Sequence, residues 1–213
     1  MPDEPLLPST PPAPPRLETT RLVLRPFALT DATEVRRLAG EYAIADTTLT
    51  IPHPYPEGAA EAWIATHAPK FASGEQVNCA ITLRDGGALL GAVGLTVLRP
   101  HARAALGYWI GVTFWGHGYC TEAARALVGY GFGVLGLERI EAEHFARNPA
   151  SGRVMQKLGM RYEAALRARH FKWGRPEDDV VYSILRGEWP GGFERLGDRF
   201  DDGRSRGGEL QPA

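Results

Sequence analysis

The chain has 213 residues, 44% of them hydrophobic and 23% charged, and a net charge of −1. That length and balance suit one globular domain with a core of its own. A near-neutral surface gives no reason to expect a nucleic acid or an anionic membrane as partner.

No apolar run approaches the ~20 residues of a membrane span. The start, Met1-Pro2-Asp3-Glu4-Pro5, lacks the basic residues and apolar stretch of a secretory signal. Cys79 and Cys120 stand far apart, and no HxxxH or CxxC spacing occurs. Neither a disulfide framework nor a metal is therefore expected. The reading is a cytoplasmic protein, monomeric or homodimeric.

Seven of the 17 prolines precede Leu17, so residues 1–16 read as a disordered or polyproline-like lead. The stretch 190–213 is rich in glycine and charge and reads as a loose tail. The expected domain is 17–189. Leu22-Val23-Leu24-Arg25-Pro26 opens it as a short strand closed by proline. Thr30 is the expected N-cap of a helix that places Ala32, Val35 and Leu38 on one face. A second helix is expected from Glu57 to Ala72. From Val77 the period becomes two, with Val77, Cys79, Ile81 and Leu83 alternating with smaller or polar residues. Asp85-Gly86-Gly87 is a hairpin turn, and Leu89 to Leu98 returns. Ala104 to Gly111 is a further strand. A helix follows with Ala123, Leu127, Tyr130 and Val134 on one face, then a strand from Arg139 to Phe145. Asn148-Pro149 opens a short helix that closes at Leu158-Gly159. Strands near Ala165–Phe171 and Asp179–Leu185 flank the turn at Trp173 to Pro176. The order βααβββαβαββ is mixed α/β around a central sheet.

Two glycine-rich segments compete for a phosphate. Gly131-Phe132-Gly133-Val134-Leu135-Gly136 fits GxGxxG, but it follows a helix instead of opening one, so its amides have no pyrophosphate to face. Trp115-Gly116-His117-Gly118-Tyr119-Cys120 lies between a strand and an amphipathic helix. Glycine lets a ligand approach the backbone there, and the free amides of the helix start attract an anion without a lysine.

Asn148-Pro149-Ala150-Ser151 and Val154-Met155-Gln156-Lys157-Leu158-Gly159-Met160 follow about thirty residues on. Together these segments resemble the GNAT N-acetyltransferase superfamily, in particular its RimJ/RimL-type branch. That branch carries WGxGYxxEA and NxxSxxVxxKxGF in this order. The opening Leu17 to Pro26 and the close Asp179 to Leu185 are similar to the branch as well. The resemblance implies a central, mostly antiparallel sheet flanked by helices, with its fourth and fifth strands splayed to admit pantetheine. It implies acetyl-CoA as co-substrate, with pantetheine amides pairing near Ile110 and Val112. The pyrophosphate would lie on Trp115, Gly116, His117, Gly118, Tyr119 and Cys120, with Thr121 nearby. Asn148 would hydrogen-bond pantetheine, and Ser151 would lie close to the thioester sulfur.

Amine attack on a thioester needs a base, an oxyanion donor and a proton for the departing thiolate. By motif position Ser151 supplies the proton, and a backbone amide near Ile110 to Val112 meets the oxyanion. His170 stands near the place where ribosomal-protein-modifying members carry a glutamate. Histidine's ordinary pKa of ~6.5 suits a base at neutral pH; His144 is the next candidate. Cys120 in place of a small packing residue raises a covalent route as a lesser alternative. The resemblance implies an N-acetyltransferase acting on a primary amine, such as the N-terminal α-amine of a protein or peptide. A small-molecule amine acetyltransferase and a non-catalytic acyl-CoA-binding module stand as alternatives.

Overall fold

The computed structural model describes residues 13–191; the expectations for 1–12 and 192–213 lie outside the described residues. Eight strands form one sheet: β1 (Leu17–Glu18), β2 (Leu22–Arg25), β3 (Gln76–Leu83), β4 (Leu89–Leu98), β5 (Arg103–Ile110), β6 (Arg139–Phe145), β7 (Arg161–Lys172) and β8 (Arg175–Leu185). Their spatial order is β1-β2-β3-β4-β5-β6-β8-β7. Every pairing is antiparallel except β5 with β6. The helices are α1 (Ala32–Ala39), α2 (Tyr42–Asp46), α3 (Ala59–Ala65), α4 (His67–Ala72), α5 (Tyr119–Gly133) and α6 (Pro149–Lys157). None among the described residues is long and apolar enough to cross a membrane.

The period-two pattern of β3 sorts its side chains between two cores. Cys79 and Ile81 face the cluster holding Ala123, Leu127 and Phe132 of α5 and Met155 of α6. Ala80 faces the opposite cluster, with Val35 and Leu38 of α1 and Ile64 of α3. Asp85-Gly86-Gly87 lies in the four-residue connection of the β3–β4 hairpin, which the Leu83 N–H closes by donating to Ala88 O at 2.9 Å, and both glycines sit at positive φ (78° and 68°).

Two local expectations are corrected. The helix from Glu57 to Ala72 is split at Thr66, because Pro69 has no N–H to continue the α ladder. The entry to α1 is a short 3₁₀ turn from Leu29 to Asp31, not a Thr30 cap. There the Asp31 carboxylate accepts the Ala28 N–H at 2.8 Å and the Arg25 guanidinium at 2.7 and 2.8 Å. The Gly131–Gly136 segment ends α5. A Cβ on Gly131 would come 2.9 Å from Ile140 Cδ1, so this glycine serves close packing on the sheet.

Candidate active site

Setting aside the two-residue β1, the fourth and fifth strands are β5 and β6; they run parallel only from Arg103↔Arg139 to Ala105↔Glu141, and then they diverge. The ladder phase shows what this leaves unpaired. The Gly111 N–H donates to Leu90 O at 2.9 Å, and residues 111, 109 and 107 share that phase. The alternation of an antiparallel ladder then turns the backbone groups of Leu106, Tyr108 and Ile110 toward β6. On the other side the Ala146 N–H donates to Asp178 O at 2.7 Å, which by the same rule turns Glu143 and Phe145 toward β5. The gap is therefore lined on both sides by backbone that lacks a strand partner.

The gap opens into a cavity of about 1000 Å³. Ten of the twelve expected site residues line it. Val112 and His117 do not: Val112 starts a 3₁₀ turn, and its carbonyl accepts the Trp115 N–H at 3.1 Å. The His117 ring stacks on Tyr119 and turns Nδ1 to Trp115 O at 2.9 Å. Ile110 O accepts the Trp115 indole N–H at 2.7 Å, which ties the loop to the end of β5.

At the mouth, Gly116 and Gly118 adopt φ of 81° and 79°. Gly118 is the N-cap of α5, and no side chain caps the helix. The first-turn amides of Tyr119, Cys120 and Thr121 are thus left for an anion, at the positive end of a 15-residue helix. Glu122 holds this loop from behind. Its carboxylate accepts the Thr19 hydroxyl at 2.7 Å, the Arg21 N–H at 2.9 Å and Arg21 Nε at 2.7 Å. Arg21 in turn donates to His117 O at 2.9 Å and lies 4.6 Å over the Tyr119 ring. The motif contained Glu122, but its partners lie about a hundred residues upstream.

Deeper in, Asn148 caps α6, its Oδ1 accepting the Ser151 N–H at 3.4 Å. Ser151 Oγ lies 3.0 Å from the Tyr108 hydroxyl, which also donates to Ser151 O at 3.0 Å. Burial holds the Tyr108 phenol well above its usual range, so it stays protonated beside the serine. Sequence reasoning missed Tyr108, because the contact joins two elements 43 residues apart. Burial pushes the Cys120 thiol up to about 12, which favours its protonated form at neutral pH.

The far wall is built from residues 47–52 with Tyr55 and Trp63. Lys172 Nζ holds that wall by donating to Leu49 O at 3.2 Å and Ile51 O at 2.9 Å. Arg147 bridges Asp46 at 2.6 Å and Glu177 at 2.9 Å, which joins the wall to the β7–β8 pair. His170 enters the cavity from β7 beside Glu143 and Asp179. His144 is more confined. Its Nδ1 lies 2.8 Å from Phe145 O, and its Nε2 is so close to Gly152 that a Cβ there would stand 2.6 Å away.

Residues 21–161 match the family described as Acetyltransferase (GNAT) domain. The "Uncharacterized N-acetyltransferase YoaA" of Bacillus subtilis (strain 168) is 34% identical over 182 residues, covering 81% of this chain and 97% of that protein. Two solved structures share the fold. Mycobacterium smegmatis RimJ, in complex with a CoA-disulfide, superposes with a TM-score of 0.72 at 23% identity, covering 79% of this chain and 84% of its own. RimL, the ribosomal L7/L12 alpha-N-protein acetyltransferase in complex with coenzyme A, gives 0.73 at 15%, covering 78% and 95%. With its splayed β5 and β6, its uncapped glycine loop and a relative aligned along nearly its whole length, the chain belongs to the GNAT family, whose members are N-acetyltransferases that use acetyl-CoA as co-substrate.

Proposed function

We propose that the chain transfers the acetyl group of acetyl-CoA to a primary amine by direct attack in a ternary complex. The acceptor class we favour is the α-amine of a peptide or protein. The observation that carries the reading is the continuous cavity. Its lining includes the start of α5, the diverging edges of β5 and β6, and both Ser151 and His170.

In this reading the pyrophosphate rests on the amides at Gly116 to Thr121, and pantetheine lies in the gap against backbone of Tyr108 and Ile110. Such a strand-like ligand satisfies groups that the splay leaves open. The amine attacks the thioester carbon, a C–N bond forms and the C–S bond breaks. A backbone amide at the end of β5 faces the developing oxyanion. Ser151 gives its proton to the thiolate and regains one from water, while the Tyr108 hydroxyl, 3.0 Å away, holds Oγ in place. His170 accepts the proton that the amine loses. The raised thiol of Cys120 supports direct attack over an acyl-enzyme.

The preference for an α-amine draws on the fold shared with RimL and RimJ and on a far wall that offers backbone and threonines more than fixed charge. Thiol release from acetyl-CoA with a panel of free peptides, N-terminally blocked peptides and small amines tests it. Free peptides should release thiol, and blocked ones should not. Release with small amines alone would move the acceptor to that class; no release with any would remove the catalytic reading.

A further inference from the structure

The β7–β8 pair contains an irregularity that brings a second residue to His170. Leu166 faces Asp179 and His170 faces Glu177, so Arg167, Ala168 and Arg169 stand opposite Asp178 alone. Ala168 takes up this excess at φ 48° and donates its N–H to Asp178 Oδ1 at 2.7 Å. Left-handed backbone at a non-glycine residue is unfavourable and persists where its surroundings impose it. In a regular ladder His170 would face Arg175, with Asp179 four residues beyond its partner. The bulge instead makes Asp179 its diagonal neighbour on the same sheet face.

The consequence is a close and unusual pair. His170 Nε2 lies 3.1 Å from Asp179 Oδ2 and 3.5 Å from Glu143 Oε1. Asp179 is 1% exposed, yet neither its Oδ2 nor His170 Nε2 makes a hydrogen bond in the free chain. The charged and titratable groups facing the pair are Glu143 and His144 from β6 and Arg169 from β7. Arg169 Nε stands 3.4 Å from Glu143 and 3.7 Å from Asp179. Burial, and next the Glu143 charge, holds the Asp179 carboxyl above its usual range, while His170, Arg169 and His144 pull it down. A buried carboxylate without a donor is unfavourable, and a positive charge forming on His170 would relieve it.

We propose that Asp179 is the positioning residue for His170: it takes the Nε2–H, leaves the lone pair on Nδ1 for the acceptor's proton, and stabilises the imidazolium. This rests on the reading of His170 as the base. Pairs of this kind are often misaligned in free enzymes and tighten when substrate binds, and a carboxylate fixes the tautomer of a catalytic imidazole in the same way in serine hydrolases.

The test combines kinetics with a readout independent of turnover. NMR titration of the His170 ring, with CoA bound, should show its proton affinity fall by roughly tenfold or more in Asp179→Asn. Coenzyme A affinity should stay within twofold. With a reactive amine, the acidic limb of the kcat/KM profile should move to lower pH and kcat should fall. Asp179→Asn added to His170→Ala should cost little more, since the first change acts through the second. If Asp179→Asn leaves both the ring titration and the limb in place, the proposal fails. It fails too if the double variant loses the product of the two single effects. Glu143→Gln, at a more exposed position, gives a second variant: a larger effect there than at Asp179 would transfer the role to Glu143 and overturn the assignment. Because Glu143, His170 and Asp179 bring ligand atoms within 4.8 Å of one another, a chelator arm is included. Activity abolished by EDTA and restored by zinc would make this a cation site instead. A shifted His170 titration with no acetyl transfer to any amine would support the pairing while removing the transferase reading.

Discussion

Replacing Gly118 separates the loop's backbone geometry from its packing. A Cβ at this position would meet only Arg21 Nη2, at 3.5 Å, an ordinary contact with the end of a flexible side chain. Steric clash is therefore a minor effect. The φ of 79° decides the outcome. Valine in left-handed backbone costs about 1–2 kcal/mol, and its branched Cβ places it at the upper end. The chain can escape that cost by rotating Gly118 to negative φ, but the amides of Tyr119 to Thr121 then leave the positions an anion needs. A loss of one or two pyrophosphate hydrogen bonds to charge, about 1.5–3 kcal/mol each, gives at least a tenfold weaker complex, ~1.4 kcal/mol. Titration calorimetry with coenzyme A on a folded Gly118→Val protein measures this directly. Gly116→Ala is the comparison. Its φ is 81° but nothing lies within 4 Å of the added carbon, so it carries the backbone cost alone. Coenzyme A affinity unchanged in Gly118→Val would refute the placement of the phosphates.

Glu122→Ala should lower both Tm and coenzyme A affinity, because it frees the Thr19 and Arg21 contacts that hold the loop; calorimetry and a thermal melt read the two effects. Ser151→Ala should lower kcat by roughly 10²–10⁴-fold at nearly constant coenzyme A affinity. Tyr108→Phe should give a smaller loss in the same steady-state assay, since water can reprotonate the serine. Cys120→Ala should keep most of the activity, and iodoacetamide should label the native thiol slowly at pH 7, as a group raised to about 12 requires.

How much of this was legible depended on whether the signal was local. The alternation of β3, the glycine turn after it and the Trp115 to Glu122 segment are short-range patterns, and each leads to the element found. Asn148 before Pro149 likewise announces the start of α6. The residues that were missed act across distance. Tyr108 is one of several apolar positions in its strand, and only the packing of α6 on β6 brings Ser151 to its hydroxyl. For His170 the pattern was misleading: strict alternation groups it with Ala168 and Lys172, whereas the bulge leaves Ala168 exposed while His170 and Lys172 turn inward. No turn residue marks that bulge, because alanine occupies the position where glycine would have signalled positive φ.

His67 provides a test of the fold that does not depend on the reaction. Its ring packs between Trp63 at 4.5 Å and Phe27 at 5.4 Å, and both ring nitrogens are buried without a hydrogen-bond partner. Burial, and then the Lys70 charge, depresses its pKa to about 4. The unfolded chain titrates near ~6.5. Above that pH the ring is neutral in both states and contributes no pH dependence. As the pH falls from ~6.5 toward about 4 the unfolded chain takes up a proton that the native ring refuses, so native stability drops across that window. The full difference corresponds to ~3.4 kcal/mol, and partial exposure of the side chain reduces it to about 2 kcal/mol. His67→Phe keeps an aromatic ring against Trp63 and removes the titration. In urea denaturation at pH 7.5 and pH 4.5, the stability gap between variant and wild type should widen in the variant's favour by about 2 kcal/mol at the lower pH. Carboxylates that titrate in the same range affect both proteins alike and cancel in that difference. A gap that stays constant between the two pH values would show that the buried imidazole is protonated as readily in the native chain as in the unfolded one.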